Sequence, residues 1–165
     1  MYRRVGKPRG GQHPMTNDGI EMTDTNDTNP CFGCGRANPQ GLHLTFDQDE
    51  SRQRVMGRFR IGTAFQGGTG FLHGGIIATV LDEVMSKVSR FSGVRAVTAE
   101  LTVEYLKPIR VDQEIIVEGF STRRDGQQLY HEGEIRNAAG VLLARGRGRF
   151  VVVDLQRYRE SAGRM

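Results

Sequence analysis

The chain has 165 residues, 37% of them hydrophobic and 25% charged, which suits one domain with its own core. It contains no run of about 18 apolar residues, as a membrane-spanning helix requires, and no apolar segment follows the basic N-terminus as a secretory signal requires. The net charge of +4 permits a polyanionic ligand without requiring one. With two cysteines only, we expect a cytoplasmic protein without a disulfide framework. Because no apolar run is long enough to span a membrane, we expect no membrane partner.

The chain divides into a tail, a domain and a second tail. Residues 1–29 are rich in Gly, Pro, Asn, Thr and Asp and are predicted to be disordered, residues 30–156 to fold, and residues 157–165 to form a C-terminal tail. In chain order the domain is predicted to contain two strands, one long helix, and four strands arranged as a meander. The predicted strands are residues 42–46, 54–61, 97–106, 114–122, 127–136 and 141–153, and the predicted helix is residues 73–90.

Two turn signals connect the later strands of this pattern. Asp125-Gly126 is a hairpin signal, and residues 137–140 turn the next strand into the last. One helix among many antiparallel strands indicates an α+β architecture. A long curved sheet wrapped around the single helix would satisfy this order of elements.

The predicted helix has three different faces at 100° per residue. Glu83, Lys87 and Arg90 fall together and predict a solvated face. Another face carries small residues together with Met85 and one carboxylate, Asp82, and small residues permit close contact with another surface. We therefore expect Asp82 at a contact or cleft, against the alternative of an ordinary solvated carboxylate. The remaining face is an apolar core stripe: Ile77, Val80, Leu81, Val84 and Val88.

The start of this helix carries His73, Gly74 and Gly75. A helix N-terminus offers free N–H groups and a positive dipole end, and glycine lets a ligand oxygen approach the backbone closely. This combination can hold a developing oxyanion, although two glycines before a helix are also common in plain turns. His73 and Asp82 are nine residues apart, about 13 Å along one helix. They serve one site only if two helices pack antiparallel across a two-fold axis, which predicts a homodimer or a larger homo-oligomer.

Three stretches carry a resemblance to a known family. They are FQGGTGFLHGGIIATVLDEVMS at 65–86, CFGCG with NPQGLHLTF at 31–46, and AVTAELTVEYLKPI at 96–109. Together they resemble the hotdog-fold acyl-CoA thioesterases of the phenylacetate-pathway (PaaI-like) type, in the branch with an N-terminal CFGCG segment. The resemblance covers about residues 30–154. It implies a long curved antiparallel sheet around one central helix, an acyl-CoA substrate, and an active site at a dimer interface.

The same resemblance implies roles for particular residues. Asp82 matches the catalytic carboxylate, which activates or orients water or attacks the substrate directly. Gly75, with Gly74, matches the backbone donor that polarises the thioester carbonyl. His73 matches a histidine that shapes the loop, and Thr98 matches the residue that helps to position the water.

Other candidate residues lie outside this group. Gln66 stands beside the position where some relatives carry an Asn or Gln that holds the carbonyl, and it is a candidate substitute. Arg123 and Arg124, next to the predicted hairpin turn, are candidates for holding the phosphates of CoA. Nucleic acid is not an expected partner, because no aromatic residues are interleaved with the arginines. A further set of arginines alternates on the last strand, where an ordinary solvated sheet face is at least as good an interpretation: Arg145, Arg147 and Arg149.

We expect no metal and no cofactor apart from the CoA of the substrate. A thioester is activated relative to an ester, so one carboxylate and an oxyanion donor suffice. Cys31 and Cys34 have the spacing of a zinc knuckle, but a structural zinc needs two more ligands. Because His13 falls in the tail and His43 in a predicted strand, the sequence favours a packing turn over a zinc site.

Several alternatives stay open at this point. A non-catalytic acyl-CoA binding or sensing module has the same fold, and a hotdog dehydratase is a weaker third reading. His73 as the general base and Glu83 as the catalytic acid are weaker alternatives to Asp82. The acyl group of the substrate and the choice between dimer and tetramer are not determined by the sequence.

Overall fold

The computed structural model describes residues 28–154, so the predicted tails lie outside the described residues except for positions 28 and 29. Within this range two short 3-10 helices, Thr63–Phe65 and Ser89–Ser92, flank the single α-helix. The predicted helix and five of the six predicted strands are confirmed to within three residues at each end. The main elements are β1 (Asp47–Asp49), β2 (Arg54–Arg60), α1 (Gly74–Val88), β3 (Ala96–Tyr105), β4 (Glu114–Asp125), β5 (Gln128–Asn137) and β6 (Leu142–Val152).

The strands of this region form one antiparallel sheet in the order β1-β2-β4-β5-β6-β3. β4, β5 and β6 make a meander, and Gly126 at the first turn has a φ of 56°, which suits glycine. The predicted four-strand meander is wrong at its first member, because β3 pairs with β6 and not with β4. β2 already pairs with β4 along its length, so β3 completes the sheet at the other end. With α1 packed on this sheet, the α+β hotdog architecture is confirmed.

The helix packs closely on the sheet because glycines form a row beneath it. Gly119, Gly133 and Gly146 are paired with one another across β4, β5 and β6. A Cβ atom added at these positions would lie 2.9 Å from the carbonyl oxygen of Val84, 3.2 Å from Met85 Cγ and 3.1 Å from Met85 Cε, respectively. Met85, predicted on a contact face, is instead fully buried. That expectation is wrong because the three glycines have no side chains and so leave space for the long side chain of methionine.

The segment before β1 alternates as predicted, but residues 42–46 are not a strand. Leu44 is buried and Leu42 packs against the core, which accounts for the apolar pattern. The backbone N–H groups of both leucines donate to carbonyls of residues 32 and 33, and His43 has a φ of 51°. The alternation therefore reflects packing of an irregular segment over a turn, and strand pairing starts only at β1.

A buried histidine lies between the helix end and the sheet. His131 is 2% exposed, its Nε2 is 3.2 Å from Ser89 Oγ, and its ring centroid is 5.2 Å from that of Phe150. Burial lowers the pKa of His131 to about 4 from its ordinary 6.5. The imidazole is therefore neutral in the folded protein at neutral pH.

We expect this histidine to make the protein less stable in mild acid. Between pH 6.5 and about 4 the unfolded chain binds a proton at His131 that the folded chain does not, so the free energy of unfolding falls as the pH falls through this window. The loss is on the order of 2–3 kcal/mol at the acid end. Urea unfolding of the wild type and His131→Gln at several pH values measures it. The variant should lose less stability across the window, and equal losses in both proteins would contradict the assignment.

Candidate active site

Asp82 and Thr98 meet beside the middle of α1. Thr98 Oγ1 donates a hydrogen bond of 2.7 Å to Asp82 Oδ1, and no other partner of this carboxylate occurs within residues 28–154. Burial raises the pKa of Asp82 above its ordinary value, opposed by the Thr98 hydrogen bond and supported by the neighbouring charge of Glu83. A half-buried carboxylate with one oxygen fixed, the other unengaged and a raised pKa has the properties of a general base.

A β-bulge brings Thr98 to the helix side of the sheet. The register of β3 against β6 shifts between Thr98 and Glu100. Ala96 packs against the core before the shift and Leu101 after it, so the inward positions change from even to odd numbers. Without the bulge, strand alternation would not place both Thr98 and Leu101 on the same face. The sequence contains no clear signal for this shift.

The start of α1 is capped by its own histidine. His73 is the N-cap residue, and its Nδ1 accepts a hydrogen bond of 2.9 Å from the N–H of Gly75. This hydrogen bond holds the helix start, and the loop-shaping role that the resemblance implies for His73 stays a prediction. The N–H of Gly75, predicted as the oxyanion donor, is already engaged by this cap. The N–H of Gly74 makes no hydrogen bond in the described part of the chain, while its carbonyl accepts one of 3.0 Å from the Tyr105 hydroxyl.

The loop before the helix is closed by Gln66. Its Oε1 accepts a hydrogen bond of 3.2 Å from the N–H of Gly70, and Gln66 also pairs with Leu72 in an isolated bridge. The loop packs tightly against the helix start, since a Cβ at Gly67 would lie 3.1 Å from His73 Cα. The side-chain oxygen of Gln66 therefore supports the loop, and a contact between Gln66 and a ligand stays a prediction.

The carboxylate and the helix N-terminus are separated within one chain. Asp82 comes eight residues after Gly74, about 12 Å along the helix axis. One reacting carbonyl group cannot touch both. A single site with both groups would therefore need a second helix start near Asp82, and the shared site stays a prediction.

Arg123 and Arg124 lie near the tip of the β4–β5 hairpin but on opposite faces of it. Arg123 pairs with Tyr130, and its guanidinium carbon lies 4.1 Å from the centre of that ring. Arg124 pairs with Leu129, a core residue, so only Arg124 lies on the helix side of the sheet. Their binding of CoA phosphates stays a prediction. The alternating arginines of β6 are instead bound to glutamates in ion pairs: Arg145 to Glu134, Arg147 to Glu104 and Glu132, and Arg149 to Glu100.

The predicted solvated face of α1 is wrong at Glu83 and Lys87. These two form an ion pair of 3.3 Å with side chains only 13% and 16% exposed, because the turn at Cys31 and Cys34 covers them. Burial raises the pKa of the Cys34 thiol to about 11, which disfavours a reactive thiolate. The sequence did not reveal these contacts because they join residues more than 50 positions apart. In the sequence, only the spacing of two residues between the cysteines indicated that a tight, packed turn forms there.

Residues 69–144 match the family model of the thioesterase superfamily. The match covers less than half of the chain, whose fold is the hotdog fold. Acyl-coenzyme A thioesterase THEM4 of Rattus norvegicus is 30% identical over 90 residues, which are 54% of this chain and 39% of that protein. The Xenopus laevis protein of the same name is 28% identical over 103 residues, covering 62% of this chain and 46% of that protein. The chain thus spans less than half the length of these relatives.

A solved structure of protein RHA08564, a thioesterase superfamily protein, is 27% identical with a TM-score of 0.67, covering 71% of this chain and 60% of that one. The family match and this structure support the predicted superfamily, while the branch with the CFGCG segment stays a prediction. None of the helices in residues 28–154 is long and apolar enough to span a membrane.

Proposed function

We propose that this protein hydrolyses acyl-CoA thioesters to the free acid and CoA. The observation that carries the proposal is the half-buried Asp82 carboxylate, fixed by Thr98 on the flank of a helix whose N-terminus offers a backbone donor. The thioesterase superfamily match over residues 69–144 and the names of the curated relatives support the substrate class. The structure of smu.793 from Streptococcus mutans, described as bound to acetyl CoA, has a TM-score of 0.60 to this chain at 21% identity and covers 67% of it and 86% of that chain.

The proposed reaction uses first the Asp82 carboxylate and then the N-terminus of the helix. Asp82 accepts a proton from a water molecule through the oxygen that Thr98 does not hold, and the water attacks the thioester carbonyl carbon. Negative charge develops on the carbonyl oxygen and is stabilised by the Gly74 N–H and the positive end of the helix dipole. Collapse of the intermediate breaks the carbon–sulfur bond and releases CoA, which takes up the proton. This scheme needs no metal and no cofactor apart from the CoA of the substrate.

We propose that the site forms between two copies of the chain. Among residues 28–154 β3 is an edge strand that pairs only with β6, so one row of its backbone groups has no partner there and could pair with a second copy. Around it lie the exposed side chains of Phe71, Val97, Tyr105 and Leu106, which are 38–56% exposed. An antiparallel partner helix would carry the start of its α1 to Asp82. A dimer contains two such sites, and a tetramer built from dimers contains four.

A cleft next to the carboxylate supports the same arrangement. It has a volume of about 180 Å³ and lies between residues 86–90 and 94–96. Neither Asp82 nor Thr98 lines the cleft, but Ser86 follows Asp82 by one helical turn and Ala96 precedes Thr98 by two positions on β3. Ligand pockets usually measure roughly 300–1,000 Å³, and we propose that the partner chain encloses the remaining volume. Arg95 lines the cleft and is a candidate contact for anionic parts of CoA that the sequence did not suggest.

Mixing two inactive variants tests the shared site. Asp82→Asn removes the base, and Gly74→Pro removes the backbone N–H at the helix start. Proline is tolerated at the first position of a helix. The residue before it, His73, has φ −64° and ψ 138°, which is the extended conformation that precedes proline. In a mixed dimer one site carries both defects and the other carries none. Random exchange should therefore restore about a quarter of the wild-type activity. A mixture no more active than its parents would place the whole site in one chain.

The function itself is tested by following thiol release from a panel of acyl-CoAs with short, medium, long and aryl-acetyl groups. Turnover of one class supports the proposal and identifies the acyl group. Binding of CoA esters without any thiol release would replace the proposal with the non-catalytic binding module. Hydration of an enoyl-CoA would instead indicate the dehydratase.

A further inference from the structure

A second cluster of reactive side chains lies on the opposite flank of α1 from Thr98. Cys31 and Cys34 come from the turn that precedes β1, and Glu83 and Lys87 come from the helix; we call these four residues the Cys-Glu cluster. Cys31 Sγ lies 3.4 Å from Glu83 Oε1, and Lys87 Nζ lies 3.0 Å from Cys34 Sγ and 3.3 Å from Glu83 Oε2. None of the four takes part in the proposed chemical step, although Lys87 also lines the cleft described above.

The spacing of the ligand atoms fits a tetrahedral metal ion. The two sulfur atoms and a Glu83 oxygen lie within 4.8 Å of one another. A zinc ion bound at about 2.3 Å to sulfur and 2.0–2.2 Å to oxygen holds its ligand atoms roughly 3.5–3.8 Å apart. The cluster therefore needs only small side-chain movements to close around an ion. The third ligand comes from a helix 49 residues after Cys34, which is why the sequence showed only two.

The turn is built so that both cysteines face the helix. The N–H of Gly35 donates a hydrogen bond of 2.9 Å to the carbonyl of Cys31. A Cβ at Gly35 would lie 2.2 Å from the carbonyl oxygen of Asn29, and a Cβ at Gly33 would lie 2.5 Å from the Glu83 side chain. At Gly35 the close contacts are with backbone atoms, so only glycine fits, whereas a side chain at Gly33 would displace Glu83 from the turn.

Lys87 occupies the place where a cation is favourable. Its ammonium group contacts a sulfur and a carboxylate, and Glu83 Oε2 is buried and accepts no hydrogen bond within residues 28–154. The lysine stem is flexible and the ammonium is readily hydrated, so the side chain can leave the cluster when another cation enters. Thiolate ligands select zinc over magnesium and calcium, which prefer oxygen.

We propose that Cys31, Cys34 and Glu83 bind a structural zinc ion, with water as the fourth ligand and Lys87 displaced toward solvent. On binding, two zinc–sulfur bonds form and the two thiol protons pass to solvent, without oxidation or reduction. The ion clamps the segment before β1 onto the helix turn that carries Asp82. This inference departs from the sequence expectation of no metal and does not depend on the proposed hydrolysis.

Cobalt titration of the metal-free protein under reducing conditions tests the site. Cobalt(II) should produce a thiolate-to-cobalt charge-transfer band, which zinc abolishes by displacement and which falls to about half its intensity in Cys31→Ser. Zinc should raise Tm by about 5 °C or more at a hundredfold excess over its Kd. Glu83→Gln should weaken zinc binding about tenfold or more. The matched control is Glu114→Gln, whose carboxylate contacts only exposed arginines, and it should bind as the wild type does.

Lys87→Met separates a metal site from a purely structural cluster. Removing the ammonium group that zinc must displace from the cluster should tighten zinc binding about tenfold or more, because the ion then enters without competition from another cation. A structural role for Lys87 alone predicts only a lower Tm. Absence of the charge-transfer band in both the wild type and Lys87→Met, with far-ultraviolet circular dichroism showing folded protein, would overturn the proposal.

Discussion

Replacing Asp82 with alanine or asparagine is expected to lower kcat/KM for acyl-CoA hydrolysis about 100-fold or more. Either change removes the group that accepts the proton of water, and asparagine does so while keeping the shape of the side chain. Direct attack by the carboxylate would be lost equally. Asp47→Asn, an exposed aspartate on β1, is the matched control and should keep wild-type activity.

The fold of the variants should survive this substitution. Burial raises the pKa of Asp82, so the ionised form is disfavoured by folding, and neutral replacements remove that cost. We expect Tm to be unchanged or slightly higher in Asp82→Asn. If this variant kept the wild-type rate, the proton acceptor would have to be another group, and His73 would be tested next.

The pH profile distinguishes a positioning role for Thr98 from a structural one. Wild-type activity should fall on acidification through a pKa above the ordinary aspartate value of 3.8, because only the ionised carboxylate accepts a proton. Thr98→Val removes a hydrogen bond that lowers this pKa, so the acidic limb should move to higher pH, and kcat should fall about tenfold. An unchanged limb with a lower Tm would mean that Thr98 only supports the fold.

The largest expected effect on stability is that of Gly119→Val, which should lower the free energy of unfolding by more than about 3 kcal/mol or prevent folding. A Cβ at this position would lie 2.9 Å from the carbonyl oxygen and 3.1 Å from the carbonyl carbon of Val84. These are backbone atoms of α1, so no rotamer change relieves the contact, and the helix must move away from the sheet. Since valine is otherwise favourable in strands, the loss measures this contact.

Urea unfolding followed by circular dichroism measures the change. Gly68→Val is a suitable control, because no atom of the described residues lies within 4 Å of a Cβ there. It should change stability by less than about 1 kcal/mol. Equal stability of Gly119→Val and the wild type would show that the helix does not lie as close to the glycine row as the contact requires.

The elements from β2 onward and the helix face that carries Asp82 followed from the sequence alone. Local patterns predicted these features, because they depend on the spacing of apolar residues and on the identity of turn residues. They include the helix start at His73, the ends of β3 to β6 and the turn at Asp125-Gly126. The face of α1 that carries Asp82 and its distance from the helix start also follow from helical geometry. That distance already predicted a second chain.

The tertiary structure alone decided which distant residues meet. The pairing of β3 with β6, the bulge that directs Thr98 to Asp82, and the burial of Met85 over the glycine row depend on how separate strands align. The same is true of Glu83, which looked solvated on a helical wheel and is covered by a turn 52 residues earlier in the chain. A periodic pattern shows which way a side chain points relative to its own element. The pattern does not show which other segment covers that face, because the covering segment is determined by packing between parts of the chain that are far apart in sequence.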